Sequence, residues 1–265
     1  MIDALRFEWV RLRTLRSTYW LTGLALVLSA AVAGLVAYFS RDDRISGELA
    51  GVILTGGTSF SPLPFTALFM GIFGVFAFGH EYRHGLILPT LAAVPRRGVL
   101  VLAKVVMVVV WSLVVAVVGV ALNWTLARVL SGQSLPLTED PVRPALVGYL
   151  CFVALWGLLG LGLGSLLRNL PAAMVLLFVV PLVVEPLISA LSMLPALEPI
   201  REYVYYLPFN AGKAMAQTFD MDAITGGQET GMPAVPSRLT SGLTFTAWVV
   251  LVLGSATALF HKRDA

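Results

Sequence analysis

Long apolar runs separated by short polar stretches organise this chain. Six runs approach or exceed 20 residues, at about 20–39, 61–79, 101–127, 145–167, 172–194 and 241–260. A hydrocarbon core ~30 Å thick requires about 20 apolar residues of a helix. The run VVMVVVWSLVVAVVGVAL, residues 105–122, contains no alternation of polar and apolar positions. Strands of a membrane barrel would alternate over ~10 residues. The pattern therefore predicts an all-α integral membrane protein with six transmembrane helices, forming a single transmembrane domain over residues 1–265.

The stretch before the first run has a different period. Leu5, Trp9, Leu12, Leu15 and Tyr19 recur at steps of four, three, three and four, which places them on one helical face. Arg6 and Arg13 flank that face, while Glu8 and Arg16 fall within or beside it and spoil its amphipathicity. Residues 1–19 thus read as a basic interfacial helix, a type that lies in the headgroup plane and orients the first span.

Composition agrees with the pattern. Apolar residues make up 58% of the chain and charged residues 12%, against about 25% charged in soluble domains. Placement of charge sets an expected topology. If both termini are cytoplasmic, 51 residues of inward-facing sequence hold 11 Lys and Arg, whereas 80 residues of outward-facing sequence hold 6. Acidic residues such as Asp42, Asp43, Glu139, Asp140, Glu198 and Glu202 fall on the outward side. The positive-inside rule then predicts a multi-pass protein of the plasma membrane with cytoplasmic termini. No cleavable signal peptide is expected, because the 20–39 run is long enough to span and lacks a clear small-residue cleavage site. The single cysteine, Cys151, cannot form an intrachain disulfide and reads as a small buried apolar residue.

Some positions inside the runs depart from plain apolar filling. Gly157, Gly160, Gly162 and Gly164 cluster in the fourth run, and Gly160–Gly164 is a GxxxG pair suited to close helix packing, within the chain or across a dimer. Arg168-Asn169-Leu170-Pro171 forms a tight turn with proline near the next helix start. Glu185 is a carboxylate at bilayer depth and a possible intramembrane polar site. It either pairs with another helix or lines a polar path, or else a break at Pro186 leaves it near water; the second arrangement is the favoured expectation. Residues 195–240 form the longest external segment, punctuated by proline, with Tyr203, Tyr205 and Tyr206 suited to a membrane interface and a flexible stretch TGGQETGMPAVPS.

The sequence carries little chemistry of its own. It has no GxxxxGK[ST] loop for nucleotide phosphates and no HExxH motif. His80 and His84 are four apart but have no third ligand nearby, so no metal site is expected. Ser165 has no histidine within a span to activate it. No catalytic residue, bound cofactor or nucleic-acid partner is predicted. A transporter subunit driven by a partner, a partner-regulated channel and a non-transporting membrane scaffold remain, and the scarcity of polar residues in the spans counts against a channel.

The stretch HEYRHGLILPTLAAVPRRGVLVLAK, residues 80–104, bears on that choice. It is too polar for lipid and too apolar for a solvated loop, which suits a short surface helix facing a soluble partner. Glu81 and Gly85 are followed by an apolar helix-like run, then Pro95-Arg96-Arg97 and finally Lys104. This order resembles the cytoplasmic segment of type 2 ABC transporter permeases, and the likeness extends to the basic first helix, the six spans, the long external segment and Tyr206-Leu207-Pro208. The resemblance implies a coupling helix within 80–100 that docks on a separate ATPase subunit carrying ATP and Mg. It assigns partner contacts to Glu81, Arg83, Gly85, Pro95, Arg96 and Arg97. It further implies a dimer, with a second copy or a sister permease, that exports a hydrophobic or amphipathic substrate (a drug, lipid or peptide) by alternating access. Pro89 departs from the pattern, since it falls within the expected coupling helix and would bend or shorten it. The external segment has no cysteines and no length for a folded domain, unlike the cholesterol-exporter-like branch.

Overall fold

A computed structural model describes residues 1–42, 44–57, 63–83, 85–93, 96–135, 137, 138, 140, 142–217 and 236–262, with backbone alone at Arg83, Leu91 and Ala93. The described residues are helical and contain no strand. In chain order the helices are α1 (Ile2–Thr14), α2 (Arg16–Phe39), α3 (Gly47–Thr55), α4 (Phe65–Arg83), α5 (Ile87–Ala93), α6 (Arg97–Ser131) and α7 (Val142–Leu167). There follow α8 (Leu170–Val179), a π-helical turn at Val180–Val184, α9 (Glu185–Leu191), a 3-10 helix at Pro195–Tyr206, α10 (Pro208–Ala216) and α11 (Arg238–Lys262). Six of these stretches are long and apolar enough to cross a membrane: Arg16–Phe39, Phe65–Tyr82, Arg97–Ser131, Val142–Leu167, Leu170–Leu191 and Arg238–Lys262. They coincide with the six expected runs, and the protein is a multi-pass, all-helical membrane protein.

Contacts between connections show which helix ends lie together. Arg97 Nη1 donates to the carbonyl oxygens of Phe260 at 2.8 Å and His261 at 3.3 Å, joining the start of α6 to the end of α11. Arg11 of α1 reaches Ala77 O and Glu81 of α4, and Arg168 lies over the Tyr82 ring at 5.0 Å. The end of α4, the start of α6, the α7–α8 turn, α1 and the end of α11 therefore share one end of the bundle. At the opposite end the Gln133 side chain bonds Ile45 N at 3.2 Å and Arg41 O at 3.4 Å.

Glycine sets the centre of the fold. The central pair is α4 and α7, whose spans are the most buried of the six. A Cβ at Gly74 would collide with the carbonyl oxygen of Gly157, and one at Gly160 with that of Gly71. At Gly164 it would lie 2.6 Å from Val75 O. Gly160 and Gly164 thus let the α7 backbone touch the α4 backbone, while Gly157 faces α6 and Gly162 faces α11, so their packing is satisfied within the chain. Where lipid tails are as apolar as the helices, such close approach supplies the packing that burial from water supplies elsewhere. Trp156 fills the space beside this contact and meets Phe209 of α10 at 4.6 Å and Phe152 at 5.6 Å between ring centroids.

Two helices lie where only connections were expected. The apolar helix α3, within 40–60, packs with α2 and α6 around Ala33, Ala37, Ile53, Leu54 and Ala127. Ser46 caps its start by accepting from Leu49 N at 3.2 Å, and Gly56 ends it at φ +60. Asn123 Nδ2 ties the group together, donating to Ser29 Oγ at 2.9 Å and Leu54 O at 3.1 Å. Likewise α10, within 195–240, buries Phe209, Ala211, Gly212 and Met215. A Cβ at Gly148 of α7 would strike Met215 O, so the end of α10 lies near the start of α7 while Phe209 reaches Trp156. Eight residues of α7 separate those contacts, about 12 Å along the axis. The start of α10 is therefore the deeper end, and the segment re-enters the bundle rather than lying outside it. Most of TGGQETGMPAVPS falls outside the described residues.

Two expectations about single residues are corrected. Cys151 is exposed on the outer face of α7 rather than buried. The fifth span does not break at Pro186. The helix widens by one residue ahead of it, with Glu185 N–H bonded to Val180 O, which relieves the clash a proline ring makes with the carbonyl four residues back.

Replacing Gly160 by Val should force α4 and α7 apart, with a cost at or above the upper end of the ~1–3 kcal/mol typical of overpacking. A Cβ at Gly254 meets nothing within 4 Å, so Gly254→Ala serves as control. Detergent thermal unfolding followed by size-exclusion fluorescence should show a lowered midpoint for the first substitution and none for the second.

Candidate functional site

Four charged side chains from three helices meet near the end of the bundle that holds α1 and the end of α11. On α1, Ala4, Glu8 and Leu12 are the buried positions, at steps of four, and Arg11 lies one turn from Glu8. On α4, Ala77 and Glu81 are four apart and share a face. On α6, Lys104 lies seven residues from the start, about 10 Å along the axis. That helix has 35 residues and overhangs a ~30 Å core by roughly 11 Å at each end if centred. Lys104 then falls near the hydrocarbon boundary, where burying charge is cheaper than at the midplane.

The geometry satisfies nearly every donor. Lys104 Nζ donates to Glu8 Oε1 at 2.8 Å, Glu81 Oε1 at 2.5 Å and Ala77 O at 3.0 Å, which uses all three ammonium protons. It also lies 5.0 Å from the Phe78 ring centroid. Arg11 Nη1 donates to Glu81 Oε1 and, at 3.0 Å, to Ala77 O, while Nη2 pairs with Glu8 Oε2 at 3.1 Å. Two acids face two bases, so the cluster is formally neutral. Lys104 and Glu8 are each 1% exposed and Glu81 is 2% exposed. Glu81 Oε2 and Arg11 Nε are buried without a hydrogen-bond partner among the described residues. Removing one partner from such a cluster strands a buried charge, at about 3–5 kcal/mol.

Below the cluster the chain leaves α4 through a turn that requires glycine. Leu86 N donates to Glu81 O at 2.8 Å and Gly85 N to Tyr82 O at 3.4 Å. This is the paired bonding of a Schellman ending, which needs a left-handed residue; Gly85 supplies it at φ +65. The carboxylate of Glu81 thus holds the cluster while its carbonyl holds the turn. The seven-residue α5 follows. Pro89 lies in its first turn, where a missing N–H leaves no bond unmade, so the proline does not bend the helix. Ile87 and Thr90 of α5 face inward, whereas Leu86 and Leu88 are exposed at 51% and 62%.

The residues singled out from the sequence separate accordingly. Glu81 is interior, bonded to α1 and α6. Arg97 is bound within the chain to the end of α11, where a cation suits the helix C-terminal carbonyls. Gly85 and Arg96 are exposed, and Arg96 precedes α6. The Arg83 side chain and Pro95 lie outside the described residues. Glu8 and Arg11 were not among the residues singled out. The signal for them was Glu8 itself, an acid on the inward face of a basic helix with Arg11 one turn away. The helix expected over residues 1–19 is interrupted by extended backbone at Leu15, so Tyr19 belongs to α2, and the α1 face is shifted: Leu12 is buried, but Trp9 is exposed.

A second polar site lies deeper. Glu185 is 1% exposed, so it is not left near water. Its Oε1 accepts from Phe209 N and its Oε2 from Asn210 N, both at 2.9 Å. Leu207 precedes α10 and provides no side-chain cap, and Pro208 has no N–H. Glu185 therefore supplies from another helix the acceptors that the first turn of α10 lacks, at the end where the helix dipole favours an anion. Asn210 Nδ2 adds bonds to Val204 O at 3.1 Å and Ser189 Oγ at 3.3 Å. At the start of α8, Asn169 caps by accepting from Ala172 N at 3.1 Å.

Among the described residues no group of three or more His, Cys, Asp or Glu could hold a metal ion. Both polar sites join helices, and neither sets a nucleophile against a base.

The charge cluster generates a specific expectation. Lys104→Met leaves a net negative charge buried and should destabilise the protein by about 3–5 kcal/mol. Adding Glu8→Gln restores formal neutrality, so the double variant should unfold at a higher temperature than Lys104→Met alone. Thermal unfolding of the two single variants, the double variant and the parent would reveal that sign of coupling.

Comparison with protein-family models gives no match, and comparison with curated protein sequences gives none either.

Proposed function

We propose that this chain is the membrane subunit of an ATP-driven exporter of the type 2 ABC permease kind. In this reading both termini are cytoplasmic, α1 is the interfacial helix and α5 is the coupling helix. A separate ATPase subunit binds ATP and Mg and docks on the face carrying Leu86, Leu88 and Arg96. Two permease subunits, identical or sister chains, complete the path for a hydrophobic or amphipathic substrate.

The observation that carries the reading is that Leu86 N, which leads into α5, donates to the carbonyl of Glu81, whose carboxylate belongs to the charge cluster. A force applied to α5 acts on the turn at Gly85, whose bonds include Glu81 O. The Glu81 side chain then connects that turn to α1 through Arg11 and to α6 through Lys104. Docking on a short surface helix would thereby move three helices as a unit. The exposed Leu88 on a helix of seven residues and Leu86 in the turn before it, with Arg96 exposed beyond, also suit a soluble partner better than lipid. The excess of Lys and Arg in the connections at this end supports its cytoplasmic placement. Lacking a phosphate-binding loop of its own, the chain needs a partner for ATP-driven work.

In this account Glu81 transmits rather than contacts, since it is buried. The docking residues are the exposed ones of the α5 segment. Purification of the full chain from its host membranes in mild detergent should bring with it a P-loop ATPase subunit and measurable ATP hydrolysis. Leu88→Asp should remove the ATPase subunit and leave the thermal midpoint of the chain unchanged. Retention of the ATPase by the Leu88→Asp chain, or its absence from the parent preparation, would contradict the proposal.

A further inference from the structure

A cleft of about 860 Å³ opens on the outside of the bundle between α6, α7 and α11. Its size falls within the ~300–1,000 Å³ range of small-molecule sites. Val109, Leu113, Leu155, Leu158 and Leu243 make its walls apolar. It extends along α7 from Arg143 to Leu158, fifteen residues or about 22 Å, which exceeds the ~15 Å half-thickness of a hydrocarbon core. The polar residues gather at one end. Arg143 stands at the start of α7, Arg238 at the start of α11, and Asp140 shares that rim. Among the described residues, two guanidinium groups against one carboxylate leave the rim net positive. Arg238 Nη1 is buried without a hydrogen-bond partner among the described residues, an unfavourable state for a charged donor.

An apolar trough one leaflet deep, headed by a cationic rim with an unfilled donor, has the chemistry of an acyl chain below an anionic headgroup. We propose that the cleft binds an anionic phospholipid taken from the surrounding leaflet. The acyl chain lies against α6 and α7, and the phosphate accepts hydrogen bonds from Arg238 and Arg143. Guanidinium groups suit phosphate because they can donate in parallel. A zwitterionic lipid would bring its own cation to a rim that is already positive, so the site discriminates by headgroup charge. This site stands apart from the charge cluster and does not depend on the exporter reading.

The lone cysteine of the chain, Cys151, lines this cleft and is exposed, so it reports on occupancy. The test uses the full chain in mixed micelles containing equal amounts of phosphatidylglycerol and phosphatidylcholine. Native mass spectrometry should show phosphatidylglycerol retained over phosphatidylcholine by about tenfold, the worth of one charged hydrogen bond. Arg238→Gln should bring that ratio close to one, and the exposed Arg143→Gln should lower it in a protein whose folding is not at issue. Phosphatidylglycerol should also slow alkylation of Cys151 by N-ethylmaleimide several-fold relative to phosphatidylcholine, and Cys151→Trp should displace the retained lipid. Equal retention of the two lipids by the parent chain would overturn the proposal. So would a preference that survives both arginine substitutions, or a Cys151 alkylation rate that does not respond to phosphatidylglycerol.

Discussion

Two buried carboxylates, the buried Lys104 and the part-buried Arg11, gathered from α1, α4 and α6, are the constraint on which this end of the fold depends. The spans would pack without them, because α4 and α7 meet through glycine. What the cluster adds is attachment of α1, a helix of 13 residues, to the bundle. A helix of that length is marginal by itself, and its exposed Trp9 and Val10 would let it lie in many orientations on a membrane surface. Glu8 and Arg11 select one orientation, since the buried Glu8 needs cationic partners and Arg11 reaches the buried Glu81. Neutrality makes the arrangement tolerable, and Glu81 Oε2 and Arg11 Nε, without a hydrogen-bond partner among the described residues, leave it short of complete satisfaction. Buried charge of this kind is a better device for specifying a geometry than for adding stability.

The same principle recurs deeper in the bundle. Glu185 gives the re-entrant α10 the acceptors that its own first turn lacks, and the helix dipole stabilises the carboxylate in return. The π-helical turn ahead of Pro186 keeps the span continuous while directing Glu185 to α10. Both polar sites thus solve one problem, that of fixing short helices to long apolar ones where lipid offers no hydrogen bonds. Each uses a carboxylate from a span and donors from a short element.

The six spans were legible because length and apolarity decide them, and Gly157, Gly160 and Gly164 announced close packing. Their partner was not legible, since Gly71 and Gly74 look ordinary in isolation. Helices α3 and α10 were missed because each is only nine residues long and lies among turn-forming residues that dominate a reading by composition. Glu185 was misjudged because proline usually breaks a helix, and the bulge that accommodates Pro186 leaves no sequence mark. Glu8 was visible as a blemish on an amphipathic pattern, whereas Arg11 lay off the expected face and drew no notice. A charge that spoils a pattern on an inward face is better read as a contact awaiting its partner. Pro89 errs in the opposite direction, harmless once the first residue of α5 is known.

If the cluster fixes α1 to the bundle, loss of its central cation should release that helix alone. Hydrogen–deuterium exchange over residues 2–14 compares the parent chain with Lys104→Met, in detergent and below the unfolding temperature of the variant. The account predicts that protection across α1 falls by at least tenfold while the centres of α4 and α7 keep theirs. Unchanged protection of α1 in a variant that remains folded would contradict it.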